Sequence, residues 1–148
     1  MPDQLAKIED LFLIDRKMRV VVYEHCGGKN LFEDVLTCEK GKLAEDRTKK
    51  IIYQILTGLR YLHSKNIFHG HITPQCIVYS DYDKAAIKIT GFGYHTLLSK
   101  ELSDTYESYF HPADSFANGE FYGPLTDIWS VGCLMYFMLS GKGLTGLG

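Results

Sequence analysis

The stretch Phe68-His69-Gly70-His71-Ile72-Thr73-Pro74-Gln75-Cys76 sets two imidazoles one residue apart and a thiol five residues after the second. These side chains suit three kinds of chemistry. His69, His71 and Cys76 are ligand types for zinc, but no fourth ligand is evident and the spacing matches no common zinc site. Cys76 and His71 could pair as nucleophile and base, but no third group that would orient the histidine can be identified. The third reading is a loop whose original working groups have been replaced. The elements around the stretch decide among the three.

One domain fits a chain of 148 residues, and that length can bury a sizeable core. With 45% hydrophobic and 23% charged residues the composition is that of a globular protein. A net charge of −2 offers no pull toward nucleic acid or an anionic membrane. Cys26, Cys38, Cys76 and Cys133 lie far apart. In a chain with no signal peptide this points to reduced thiols, in the cytoplasm or nucleus. Ile128 to Leu139 is too short to cross a bilayer and reads as part of a buried helix.

Arg19-Val20-Val21-Val22-Tyr23 reads as a buried strand that ends in a turn permitted by Gly27 and Gly28. Asn30 and Glu33 form a capping-box pattern, so a short helix runs through Leu36. From about Ala44 to His63, Ile51, Ile55, Leu59 and Leu62 fall on one helical face, which Ile52 and Leu56 widen, while Arg47, Lys49, Lys50 and Arg60 lie off it. Ile77-Val78-Tyr79 and Ile87-Lys88-Ile89-Thr90 flank the turn-forming Asp81–Lys84 and predict a hairpin. Residues 91–125 read as loop. Thr126 or Asp127 should cap a final helix, apolar nearly all round, that Gly141 ends. Such a helix belongs at the centre of a larger fold, which suggests a truncated domain.

The words carried by these elements, in this order, resemble the eukaryotic protein kinase family from roughly Ile8 to Gly141. Tyr61-Leu62-His63-Ser64 resembles the end of the family's long C-lobe helix. Asp127-Ile128-Trp129-Ser130-Val131-Gly132-Cys133 is similar to the start of its central helix, Gly91-Phe92-Gly93 to its metal-binding Asp-Phe-Gly, and His69-Gly70-His71 to its catalytic His-Arg-Asp. The resemblance implies an α+β protein kinase-like fold, present in part. Residues 1–26 would supply N-lobe edge strands and the hinge, and residues 27–148 a portion of the C-lobe. The Gly-rich phosphate loop and the strand lysine of the family would lie upstream, where too few residues precede Val20 to hold them. Gly141-x-Gly143-x-x-Gly146 follows a helix and opens none, so it reads as a chance match to a phosphate loop.

Position by position, the resemblance puts His71 where the family has its catalytic Asp and Thr73 where it has the phosphate-contacting Lys. Cys76 stands in place of an Asn and Gly91 in place of an Asp, the two magnesium ligands, and Gly70 in place of the Arg that binds an activation-loop phosphate. A thiol suits a hard cation poorly, and glycine has no side chain to offer. No catalytic residue is intact and no metal site is expected. Ser99, Ser103, Thr105, Tyr106 and Ser108 fall in the activation-loop equivalent, where solvated polar residues are the ordinary case. Pro112 matches the loop-ending Ala-Pro-Glu, whose Glu is here Ala113.

Framework positions survive better. His69 and Phe92 resemble members of the apolar stack that joins the lobes, with Ile8 a candidate third, and Asp127 the buried Asp that holds the catalytic-loop backbone; Trp129 is a further structural residue. Tyr23 matches the gatekeeper, and Glu24, Cys26 and Val78 line the adenine hinge. The expected function is that of a pseudokinase, a scaffold or regulatory module in signalling that contacts other proteins, among them an active kinase or a kinase substrate, with no cofactor. The alternative is a divergent serine/threonine kinase that binds ATP, with or without magnesium, and transfers phosphate weakly. A gene product with no independent function is a further alternative.

Overall fold

The computed structural model describes residues 1–14, 18–92 and 123–143. Strands β1 (Ile8–Ile14) and β2 (Met18–Tyr23) pair antiparallel, with Ile8 opposite Tyr23. The run that follows leads into helix α1 (Leu31–Thr37), and α2 (Glu45–Ser64) comes next. A single 3₁₀ turn, Pro74–Cys76, precedes the short antiparallel pair β3 (Ile77–Tyr79) and β4 (Ile87–Ile89), and α3 (Pro124–Ser140) ends the described chain. Two separate antiparallel strand pairs and three helices make this an α+β fold.

Local sequence explains most of these elements. At α1 the capping box closes as expected: the Glu33 amide donates to Asn30 Oδ1 (2.9 Å) and the Asn30 amide to Glu33 Oε2 (3.2 Å). Ile51, Ile55, Leu59 and Leu62 form the buried face of α2, although Leu56 is exposed and the face is narrower than the sequence suggests. Ile87 and Ile89 of β4, Ile72, and Val131, Leu134, Phe137 and Met138 of α3 complete the core. Phe32 stacks on Phe137 with centroids 5.9 Å apart and ties α1 to α3.

Helix α3 starts earlier than expected. Gly123, at φ +57°, is its N-cap and Pro124 fills the first turn, where a fixed φ and a missing N–H are harmless. Thr126 and Asp127 therefore lie inside the helix, both buried, and Asp127 is released from capping for another task. Gly141, at φ +71°, closes the helix as expected.

Three features depend on neighbours distant in sequence. The N-terminal segment lies along β4: the Ala6 amide donates to Ile89 O (3.0 Å) and the Ile89 amide to Gln4 O (2.7 Å), burying Leu5 and Ala6. Asp34 of α1 is 1% exposed and accepts from Tyr79 Oη (2.8 Å), Arg47 (2.5 Å) and Lys84. Burial pushes the Asp34 carboxyl upward, but Lys84, Tyr79 and Arg47 outweigh it and leave the group below its ordinary value. Arg47 is thus turned toward α1, not held off the packed face. Gly27 and Gly28 form no left-handed turn. They run beside β3, the Gly27 amide donating to Ser80 O (3.2 Å) and the Gly28 amide to Tyr79 O (3.1 Å).

At Gly28 a Cβ would lie 2.5 Å from Tyr79 Cβ and 2.7 Å from the carbonyl oxygens of Tyr79 and Asp81. The obstruction is largely backbone and cannot swing aside. Gly28→Ala is expected to lower unfolding stability by about 2–3 kcal/mol through overpacking, read from the urea midpoint at unchanged slope; a loss under about 0.5 kcal/mol would show that the two segments part freely.

Candidate catalytic-loop site

The loop after α2 is built on Asp127. Its carboxylate, fully buried, accepts from the His69 amide (2.9 Å, Oδ2) and the Gly70 amide (2.8 Å, Oδ1), and His63 Nε2 lies 2.7 Å from Oδ2. Both oxygens are engaged by N–H groups of one short stretch, so the loop follows the start of α3 closely. Gly70 sits at φ +73°, a conformation that glycine takes without a steric penalty.

His69 is completely buried, and both of its ring nitrogens are used. Nδ1 accepts from the His71 amide (3.2 Å), so Nε2 carries the proton and donates to Thr90 O (2.9 Å). Burial pushes its pKa down to about 4, leaving a neutral ring at neutral pH. A ring so occupied has no lone pair free for zinc, which disposes of the three-ligand reading of His69, His71 and Cys76.

The Cys76 thiol is pushed up to about 11 by burial. It donates to Thr73 O (3.0 Å) and accepts the Thr73 amide (3.2 Å), closing the Pro74–Cys76 turn on itself. A protonated thiol held in this way is a structural staple, not a nucleophile. Gly91, at φ +79°, lies across from it: a Cβ there would point toward the site, 3.8 Å from His69 Cε1 and 4.0 Å from Cys76 Cβ. The fold therefore brings together the two positions expected to be magnesium ligands. Neither supplies a ligand for a hard cation, since one is a protonated thiol and the other has no side chain. Magnesium does not fit these two positions. His71 and Thr73 are partly buried in the same loop, while Ile72 and Pro74, each following one of them, are buried.

At the sheet side, Tyr23 ends β2 and its ring meets that of Phe92 edge-on, centroids 5.8 Å apart at 68°. Its hydroxyl donates to Phe92 O (3.3 Å). Ile8, the candidate third member of the stack, is 43% exposed. Beyond Tyr23, the Glu24 amide donates to Lys7 O (2.8 Å), and its carboxylate accepts from the Lys7 amide (2.8 Å) and pairs with Lys88 (3.0 Å). The Cys26 thiol reaches Glu24 O at 3.8 Å, and Val78 bridges to Asn30. Trp129 is 47% exposed among the described residues, on an outer face of α3 with Ile128, Met135 and Tyr136. Gly93, Ser99, Ser103, Thr105, Tyr106, Ser108, Pro112, Ala113 and Gly146 lie outside the described residues.

Two contributors escape sequence reasoning. His63 marks the end of a helix in the sequence word, but its ring sits on Asp127. Thr90 supplies the carbonyl that fixes the His69 tautomer, and its amide donates to Cys76 O (2.8 Å). Backbone partners of this kind carry no side-chain signal.

Comparison with known proteins agrees with this geometry. The family model of the protein kinase domain matches residues 4–146. The chain is 31% identical over 144 residues to the striated muscle preferentially expressed protein kinase of Danio rerio, covering 95% of this chain and 5% of that protein. It is 33% identical over 143 residues to serine/threonine-protein kinase D2 of Homo sapiens, covering 93% of this chain and 16% of that protein. A crystal structure of Rad53 1-466 in complex with AMP-PNP superposes with a TM-score of 0.76 at 27% identity, over 97% of this chain and 35% of that one. The chain thus spans a small part of the relatives it matches. With the Asp127-held loop, the hairpin and the glycine-flanked Phe92 in the order of that domain, the chain belongs to the protein kinase family.

Proposed function

We propose that this is a catalytically inert kinase domain, a pseudokinase, that acts as a scaffold or regulatory module through contacts with other proteins. The observation that carries the reading is the pairing of Cys76 with Gly91, a protonated thiol facing a residue with no side chain where the family's reaction needs two metal ligands. His71 in place of the catalytic Asp and Thr73 in place of the Lys remove the base and the phosphate contact as well. In a site that works by placed charge, losing all four groups lowers the rate by many orders of magnitude. Partners fit the class of active kinases or their substrates, and a cytoplasmic or nuclear setting fits four free thiols.

The full-length protein, incubated with labelled ATP, magnesium and a general protein substrate, is expected to transfer no more phosphate than its His71→Ala variant. Magnesium-dependent transfer that His71→Ala abolishes would overturn the reading.

A divergent ATP-binding domain is the second reading. It draws on the hinge, where no hydrogen bond among the described residues takes up the Cys26 amide. Stabilisation by ATP in a thermal-shift titration separates the two.

A further inference from the structure

Helix α2 carries a charge pattern that neither the packed core nor the catalytic loop uses. The protein has a net charge of −2, yet no Asp or Glu lies between Asp46 and Asp81. Within that span Lys49, Lys50 and Arg60 lie off the packed face of α2 and are exposed. Tyr53 and Leu56 are exposed among them, Tyr53 at 74%. At helical spacing Lys49, Tyr53, Leu56 and Arg60 make one stripe, opposite Ile51, Ile55 and Leu59.

The stripe borders an open groove of about 370 Å³ between α2 and the turn before β4, lined by Lys49, Lys50, Tyr53, Gln54 and Ala85. Gln54 fixes the two walls to each other. Its side-chain nitrogen donates to Ala85 O (3.1 Å), and its Oε1 accepts from the Ile87 amide (3.0 Å). A groove braced in this way exists before anything enters it. Two acids adjoin it in sequence, and both are engaged. Asp83 accepts from the Ala85 amide (2.8 Å), and Glu45 pairs with Lys49 (2.7 Å). The second is an exposed i,i+4 pair of small worth, which an incoming carboxylate can replace. Lys50 and Arg60 have no acidic partner among the described residues.

We propose that the groove and the stripe form a docking site for an acidic segment of a partner protein. An apolar side chain of the segment packs on the Tyr53 ring, and its carboxylates pair with Lys49 and Lys50. A longer segment follows the stripe past Leu56 to Arg60. Charge decides the class of partner, since cations with no acid between them select an anionic chain. The exposed Tyr53 and Leu56 at the centre give that chain an apolar anchor. A patch of this size on a protein of net negative charge suits a short acidic peptide. A duplex or an anionic membrane presents a broader charge, which the rest of the protein repels. Such a site rests on the scaffold reading, for which it supplies the kind of partner, and involves no residue of the catalytic loop.

A fluorescein-labelled peptide of glutamates around one leucine, titrated into the full chain at low salt, tests the site. It is expected to bind, to weaken as salt is added, and to weaken about tenfold when Lys49→Glu and Lys50→Glu are combined. Tyr53→Ala should weaken it about fivefold. Lys142→Glu, at an exposed lysine just past α3, should leave it unchanged. No binding, or equal weakening by Lys142→Glu, would overturn the docking site and leave the inert-kinase reading in place. Phosphatidylserine vesicles form the second arm. If they bind the wild type and the double lysine variant releases them, the surface is one for membranes and the peptide site falls. Magnesium-dependent phosphate transfer by a protein that still binds the peptide at α2 would sink the inert reading alone.

Discussion

Asp127→Ala is expected to lower the unfolding free energy by about 3–5 kcal/mol, the largest effect of any single side chain in the site. The carboxylate is fully buried and takes the His69 and Gly70 amides, one on each oxygen, with His63 beside them. Removing it strands two buried N–H groups, and each unsatisfied donor costs about 1–3 kcal/mol. Asp127→Asn, which keeps one carbonyl acceptor, should lose roughly half as much. Urea unfolding followed by tryptophan fluorescence reads both, because Trp129 lies two residues along α3. A loss below about 1 kcal/mol for the alanine variant would mean that the loop does not depend on Asp127.

The second large effect is on acid stability. His69 is neutral in the fold, with its pKa held near 4 by burial, against 6.5 for the free side chain. Above pH 6.5 neither state binds the proton and His69 contributes no pH dependence. As pH falls below 6.5 the unfolded chain protonates first, and stability drops by up to about 1.4 kcal/mol per pH unit until the folded pKa is reached, about 3 kcal/mol in all. Asp34, whose pKa is depressed, adds to the loss only lower, as pH falls through the ordinary carboxylate range. The urea midpoint of wild type should therefore decline between pH 6.5 and 4, and His69→Gln, which does not titrate, should flatten that decline. A wild-type midpoint constant over this window would show that His69 takes up a proton without leaving its place.

How much of this was legible depends on the range of the interaction. The α1 capping box, the α2 face and the Ile77/Ile89 hairpin rest on residues a few positions apart, and each shows as a local pattern. The site's frame was legible from sequence words, because His69, Asp127 and Phe92 are side chains that a word contains. What stayed hidden is long-range or made by the backbone. Asp34 looks like a solvated acid until Arg47, Tyr79 and Lys84 close on it. Gly28 looks like a turn until β3 passes beside it. The start of α3 was misplaced because Thr126 and Asp127 are good caps, and only the tertiary use of Asp127 removes it from that role.

In the catalytic loop Gly70, Ile72, Pro74 and Ile77 are buried, His71, Thr73 and Cys76 are partly buried, and Gln75 is exposed. Selection for a stable domain and selection for a reaction therefore act largely on different residues of the same short loop. Exchanges at His71, Thr73 and Gln75 disturb the core less than exchanges at Ile72 or Pro74, since none of the three is fully buried. Inheritance of the fold is in this sense decoupled from inheritance of the chemistry, and the loop is where the two histories come apart.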